Sequence, residues 1–168
     1  MNSVEVTATE ASTLEAAYTS NPYSSGSASF SLSKANMQIL LNASSSATIC
    51  VMFGRDSNGK LKGVLCSVDN SDGSLVSSTA YFVDGSSISA TDANTLISNY
   101  DLYPDSDTPD SIGVYFERSQ MQSMITSTSV TSAEFTFARE SDDTLNVVAT
   151  NDLGTVYFNK GRGLPKSK

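Results

Sequence analysis

The chain has 168 residues, 39% of them hydrophobic and only 17% charged, enough to bury one core, or two small halves sharing one, beneath a surface rich in Ser and Thr. Its formal net charge of −8 is unevenly spread: Lys160, Arg162, Lys166 and Lys168 fall in the last nine residues, so six basic groups face eighteen acidic ones elsewhere, a body of −12 and a tail of +4. An acidic body argues against nucleic-acid binding, and the lack of any histidine excludes His-dependent triads, imidazole bases and His-containing zinc sites. No apolar run approaches the roughly 18 residues of a membrane span, and the N-terminus lacks the basic and apolar regions of a secretory signal. A soluble chain, in a virion or the cytoplasm and without membrane insertion, is expected.

Residues 6–22, VTATEASTLEAAYTSNP, return as residues 88–104, ISATDANTLISNYDLYP, with Ala8, Thr9, Ala11, Thr13, Leu14, Tyr18 and Pro22 repeated. Self-similarity of this kind governs the reading of the whole chain. Thr7 with Glu10, and Ser89 with Asp92, match the capping pattern in which a hydroxyl and a carboxylate satisfy orphan amides at a helix start. Val6 and Ile88 precede the caps as candidate staples. Ala11, Leu14, Ala17 and Tyr18, and then Ala93, Leu96, Ile97 and Tyr100, supply an apolar helical stripe, and Pro22 and Pro104 forbid continuation. The connections that follow are polar. Asp105, Asp107 and Asp110 invite a calcium reading, but the required Gly and a downstream bidentate Glu are missing, so a solvated acidic loop is favoured.

Residues 28–32 and 112–116 read as strands, each followed by a short helix carrying Met37, Leu40 and Leu41, or Met121, Met124 and Ile125. Packing beneath a sheet is favoured over a Met-rich binding groove. Ser33 is the N-cap of the first, replaced by Glu117 in the second. Residues 47–68 and 131–152 then form two β-hairpins, in which Phe53, Arg55, Ser57, Leu61 and Val64 recur 84 residues later as Phe137, Arg139, Ser141, Leu145 and Val148.

A three-residue turn at Ser57-Asn58-Gly59, with Gly59 left-handed, makes paired residue numbers sum to 116 and sets Cys50 opposite Cys66. Unpaired thiols acting as small apolar residues are favoured over a cross-strand disulfide. Ile49, Val51 and Phe53, matched by Ala133, Phe135 and Phe137, face the core. The opposite face is apolar in the first hairpin (Cys50, Met52, Val64, Cys66, Val68) and polar in the second (Glu134, Thr136, Thr150). An apolar outer face in one copy only is what a partner, or the other half, would cover. Met52, Val64 and Val68, with the cations Lys160, Arg162, Lys166 and Lys168, are therefore the candidate partner-binding residues. Arg55 and Arg139 end the core-facing rows as cations snorkelling from a sheet rim.

Strands at 78–83 and 155–158 close the units, and Asp84-Gly85-Ser86-Ser87 is the only linker. The expected organisation is a first unit at 1–84, a second at 85–159 and a basic tail at 160–168, in one pseudo-symmetric domain. The tail carries no core signal, so its removal after Asn159 should leave the fold intact. The fold class expected is α+β: an α-β-α-β-β-β unit present twice, with a mainly antiparallel sheet and helices on one face. No G-x-S-x-G elbow, S-x-x-K motif or phosphate-cradling loop is present, and Glu140, Asp142 and Asp143 sit in a predicted turn. No catalytic, cofactor-binding or metal-binding residue is nominated.

The segments ISATDANTLISNY, IGVYFERSQMQSMI and EFTFARESDDTLNVVATND resemble a group of small uncharacterised proteins common in the Bacteroidota. The resemblance covers one unit, present here twice, and implies no activity. The order of elements is also similar to that of sliding-clamp domains, whose helices line a basic channel; Lys34 and Arg118 are the only cations on the helices here, so the analogy extends to fold alone. These features favour a non-catalytic structural or adaptor subunit of a larger assembly, such as a virion, surface layer or secretion device. Its partners would be other protein subunits, in a homo- or hetero-oligomer, with no cofactor. One alternative is an acidic inhibitor or immunity protein mimicking nucleic acid. Another is an enzyme or small-ligand-binding protein using the groove between the repeats.

Overall fold

Each predicted cap starts a helix. Thr7 N donates to Glu10 Oε2 at 2.8 Å while Glu10 N donates to Thr7 Oγ1 at 3.2 Å, and Asp92 N donates to Ser89 Oγ at 3.1 Å. The computed structural model describes residues 4–20, 28–43, 47–69, 80–101, 111–142, 144–159 and 162–165. Among these the chain runs β1 (Val4–Val6), α1 (Ala8–Ser20), β2 (Ser29–Ser33), α2 (Lys34–Asn42), β3 (Ala47–Arg55), β4 (Leu61–Asp69), β5 (Tyr81–Val83) and β6 (Ser86–Ile88). It continues as α3 (Ala90–Asp101), β7 (Ser111–Phe116), α4 (Arg118–Met124), β8 (Ser132–Arg139), β9 (Leu145–Asn151), β10 (Tyr157–Asn159) and β11 (Arg162–Pro165). Pro22 and residues 102–110, Pro104 among them, lie outside the described residues. Ser33 caps α2, accepting from Asn36 N at 3.2 Å, whereas Glu117 makes no side-chain cap bond to α4.

The protein is α+β and its strand pairs are antiparallel, but the strands divide between two sheets. One has the order β1-β10-β9-β8-β2 and the other β11-β7-β3-β4-β5-β6. Apart from β11, the second order is the first with the halves exchanged. Each sheet takes a hairpin and its closing strand from one half and its two flanking strands from the other: β2 pairs with β8, and β7 pairs with β3. Each half also opens on a strand, β1 or β6, too short at three residues to show as alternation in the sequence.

The expected linker is not a spacer. Val83 pairs with Ser86, and Asp84 and Gly85 between them have φ of 48° and 80°, the geometry of a two-residue type I′ hairpin. The boundary between units at 84–85 therefore falls within one sheet. Lys62 Nζ meets Asp84 Oδ2 at 2.7 Å beside this turn.

The inner faces of the sheets meet in a single apolar core. Phe53 of β3 and Phe137 of β8, equivalent in the repeat, approach to 6.3 Å between ring centroids. Tyr100 at the end of α3 lies 5.6 Å from Phe53, and Tyr18 at the end of α1 lies 5.7 Å from Phe137. Such aromatic pairs add about 0.5–1.5 kcal/mol each beyond the area they bury. Met37, Leu40 and Leu41 of α2, and Met121 and Met124 of α4 with Ile125 just beyond it, are buried in the same core. Equivalent hydrogen bonds anchor both short helices at their ends: Ser67 Oγ donates to Leu40 O at 2.9 Å and Asn151 Nδ2 to Met124 O at 3.4 Å. The Met-rich stripes are core, with no groove at these buried residues.

The halves differ where the first packs a large ring over a glycine. A Cβ at Gly63 would lie 2.2 Å from Phe30 Cζ, while the equivalent positions, Val114 and Val147, hold two buried valines. Gly63→Ala should therefore cost about 1–3 kcal/mol by overpacking. The double substitution Phe30→Val with Gly63→Val, which copies the other half, should recover more than half of that. Urea denaturation of the two variants beside the unsubstituted chain checks this, and equal loss in the single and double variants would refute the complementarity.

Acid sensitivity follows from surface carboxylates with amide or hydroxyl donors. The Thr131 hydroxyl and amide hold Asp152 below the usual carboxylate range, the Thr7 amide and hydroxyl do the same for Glu10, and the Lys60 amide for Asp56. A carboxylate depressed in the folded state contributes stability above its unfolded pKa and loses it as pH falls through the folded value. Glu15 has the opposite sign, because burial raises its carboxyl and its charged form costs stability at neutral pH. With no histidine in the chain, the unfolding free energy should be flat between about pH 6 and 8 and fall below about pH 4. Asp152→Asn should flatten that acid slope in pH-dependent thermal melts.

Candidate interaction surfaces

The hairpin arithmetic holds. Gly59 has φ of 76°, Asp56 N donates to Lys60 O at 3.0 Å, and Cys50 is the direct partner of Cys66. Both thiols are free and buried. Cys50 Sγ lies 3.3 Å from the Val114 carbonyl oxygen, to which it donates, and 3.4 Å from Met52 Sδ. Burial pushes the Cys50 thiol well above its ordinary pKa.

The apolar outer face of this hairpin is not open to a partner. Met52, Val64 and Val68 are only 6%, 0% and 3% exposed, because α3 lies across them with Ala93 buried and Leu96 and Ile97 packed alongside. Tyr81, Tyr115, Ile88 and Ile112 complete the cover. The expectation of an external partner at these three residues is thus corrected: their partner is the second half of the same chain. The approach is close, since a Cβ at Gly54 would sit 3.1–3.2 Å from Leu96 side-chain and backbone atoms. On the other sheet, α1 covers a smaller patch, Ala138 and Val148 with Ala11, Val6 and Leu14, and Glu134 stays exposed.

The two arginines are not rim cations. Arg55 and Arg139 are 4% and 8% exposed. Arg55 Nη1 donates to Gly59 O at 2.8 Å and the guanidinium carbon lies 6.0 Å from the Tyr100 ring centroid. Asn99 Nδ2 donates to the Arg55 carbonyl at 3.2 Å, so α3 is tied to this hairpin end. The acidic turn of the second hairpin is internally used: Asn146 Nδ2 donates to Glu140 Oε1 at 2.8 Å and Thr144 N to Asp142 Oδ1 at 3.1 Å. Among the described residues no group of three or more His, Cys, Asp or Glu side chains could hold a metal. Asp105, Asp107, Asp110 and Asp143 fall outside them.

The tail departs most from expectation. Residues 162–165 form β11, which pairs antiparallel with β7, Arg162 opposite Tyr115 and Leu164 opposite Gly113. Lys160, Lys166 and Lys168 lie outside the described residues, and Arg162 opens the strand. Nothing in GRGLP alternates. The usable signal was Pro165, since proline within a sheet is confined to edges and bulges, and a register shift separates Leu164 from Pro165. A four-residue strand with a bulge and a proline makes a poor template for further strand pairing. It caps the longer edge of β7.

Comparison with protein-family models, with curated proteins and with solved structures gives no match. The assignment of a role therefore rests on these surfaces.

Removing residues 160–168 should lower stability by about 1–2 kcal/mol, a few backbone hydrogen bonds' worth, or roughly 2–8 °C in melting midpoint. It should also leave β7 as an uncovered edge that self-associates. Differential scanning calorimetry and concentration-dependent light scattering on the truncated chain test both; an unchanged melt and a strict monomer would show that β11 is dispensable.

Proposed function

We propose that this protein is a non-catalytic structural subunit of a protein assembly, in which the basic C-terminal edge of one copy seats on the acidic body of a second copy. The observation that carries the reading is the placement of β11. It ends the six-stranded sheet at an edge, and four cations fall in it or next to it in sequence, in a chain whose remainder is −12. Opposite charges at this density steer association and fix orientation more than they add affinity.

Further support comes from how the polar residues are spent. Helix hydroxyls are turned inward on their own backbones, as in Thr13 to Thr9 O, Thr19 to Glu15 O and Thr95 to Thr91 O. The described carboxylates of the second hairpin turn are likewise held by local donors. Such a surface suits packing against protein in an ordered layer, of which a virion is one example.

The reading predicts association that depends on salt. Size-exclusion chromatography with multi-angle scattering should show an oligomer of the full chain at about 50 mM salt that dissociates at about 500 mM, where charges beyond a few ångströms are screened. Reversing Lys160, Arg162, Lys166 and Lys168 to Glu should abolish the oligomer without shifting the melting midpoint by more than about 2 °C. A monomer at every salt and protein concentration overturns the proposal.

A further inference from the structure

Three sulfur atoms meet beneath α3. Cys50 Sγ is 3.4 Å from Met52 Sδ. Cys66 lies directly opposite Cys50 across the hairpin. All three residues are buried, both thiols are free, and Tyr81, Ala93 and Tyr115 pack around them. The second hairpin has Glu134, Thr136 and Thr150 at the equivalent positions, so the cluster is a feature of one half that the fold itself does not require.

We propose that Cys50, Cys66 and Met52 form a binding site for a soft monovalent cation of the copper(I) class. Thiolate and thioether donors select soft ions. Zinc, by contrast, takes four ligands in a closed structural site, and no group of three His, Cys, Asp or Glu is available among the described residues to provide them. With metal–sulfur bonds of about 2.3 Å, a trigonal site holds its sulfurs about 4 Å apart. The 3.4 Å between Cys50 Sγ and Met52 Sδ then has to open by about half an ångström, which the unbranched, adaptable Met52 side chain permits.

The charge balance suits burial. One thiol loses its proton to solvent as copper(I) bonds its sulfur, the second thiol and the thioether donate lone pairs, and the occupied site is neutral with no change of oxidation state. A second ionised thiol would leave a net negative charge under α3, which desolvation opposes. Because binding releases one thiol proton, affinity should increase with pH. Access requires local displacement of α3, so loading should be slow compared with exposed thiolates.

The test uses the full chain, reduced and oxygen-free, titrated against copper(I) held by the chromophoric chelator bathocuproine disulfonate. The expected result is removal of one equivalent per chain, with affinity rising as pH is raised. Cys50→Ser, Cys66→Ser and the near-isosteric Met52→Leu should each weaken binding at least tenfold, with circular dichroism reporting whether each variant is folded. Should a variant not fold, copper K-edge absorption of the loaded wild-type chain decides: a first shell of sulfur only supports the site, and oxygen or nitrogen neighbours overturn it. Failure of the wild-type chain to withdraw copper(I) at any ratio, or equal withdrawal by a folded Cys50→Ser/Cys66→Ser double variant, also overturns it.

Discussion

The exchange of flanking strands between the halves constrains everything else in this molecule. β2 leaves its own half to pair with β8, and β7 leaves its half to pair with β3. An isolated two-stranded hairpin is marginal in water, so each hairpin depends on strands delivered by the other half of the sequence. The same crossing carries α1 to the outer face of the five-stranded sheet and α3 to that of the six-stranded sheet. It also brings Phe53 and Phe137 together at the centre. Neither half is a folding unit, because removing either takes strands from both sheets.

Within that frame the halves differ in ways that compensate locally. The first half fills the space between sheets with Phe30 over Gly63, and the second with Val114 and Val147. Comparable volume is reached by different residues, as close-packed interiors allow. On the outer faces no such compensation operates. α3 seals an apolar, sulfur-containing layer, whereas α1 meets the smaller Ala138 and Val148 patch and leaves Glu134 in water. A sealed layer costs nothing in unpaired polar groups and frees the residues at Cys50, Met52 and Cys66 to acquire a specific chemistry.

The tail joins architecture to the proposed role. β11 occupies the edge of β7 and ends in a bulge and a proline, devices that stop a sheet from growing. In the proposed assembly, an edge blunted in this way leaves side-chain charge, rather than continuation of the ladder, as the means of association. The four cations of residues 160–168, in β11 or next to it in sequence, against an acidic remainder, would supply direction to that proposed association.

What could be read from the amino-acid order was what short-range physics decides. The Thr7–Glu10 and Ser89–Asp92 caps, the Ser33 cap, the left-handed Gly59 and the opposition of Cys50 and Cys66 depend on residues within one turn or one hairpin. Hydrophobic periodicity likewise marked Tyr18, Tyr100, Phe53 and Phe137 as core, as their burial shows. Several features were decided only in three dimensions: which hairpin each flanking strand joins, the division into two sheets, the covering of Met52, Val64 and Val68 by α3, the burial of Arg55 and Arg139, and the docking of residues 162–165 on β7. Each depends on contacts between residues distant in sequence, and neither periodicity nor turn chemistry encodes a partner's identity. The apolar face of the first hairpin required cover; that the cover would be the chain's own third helix was settled by the crossing of the strands.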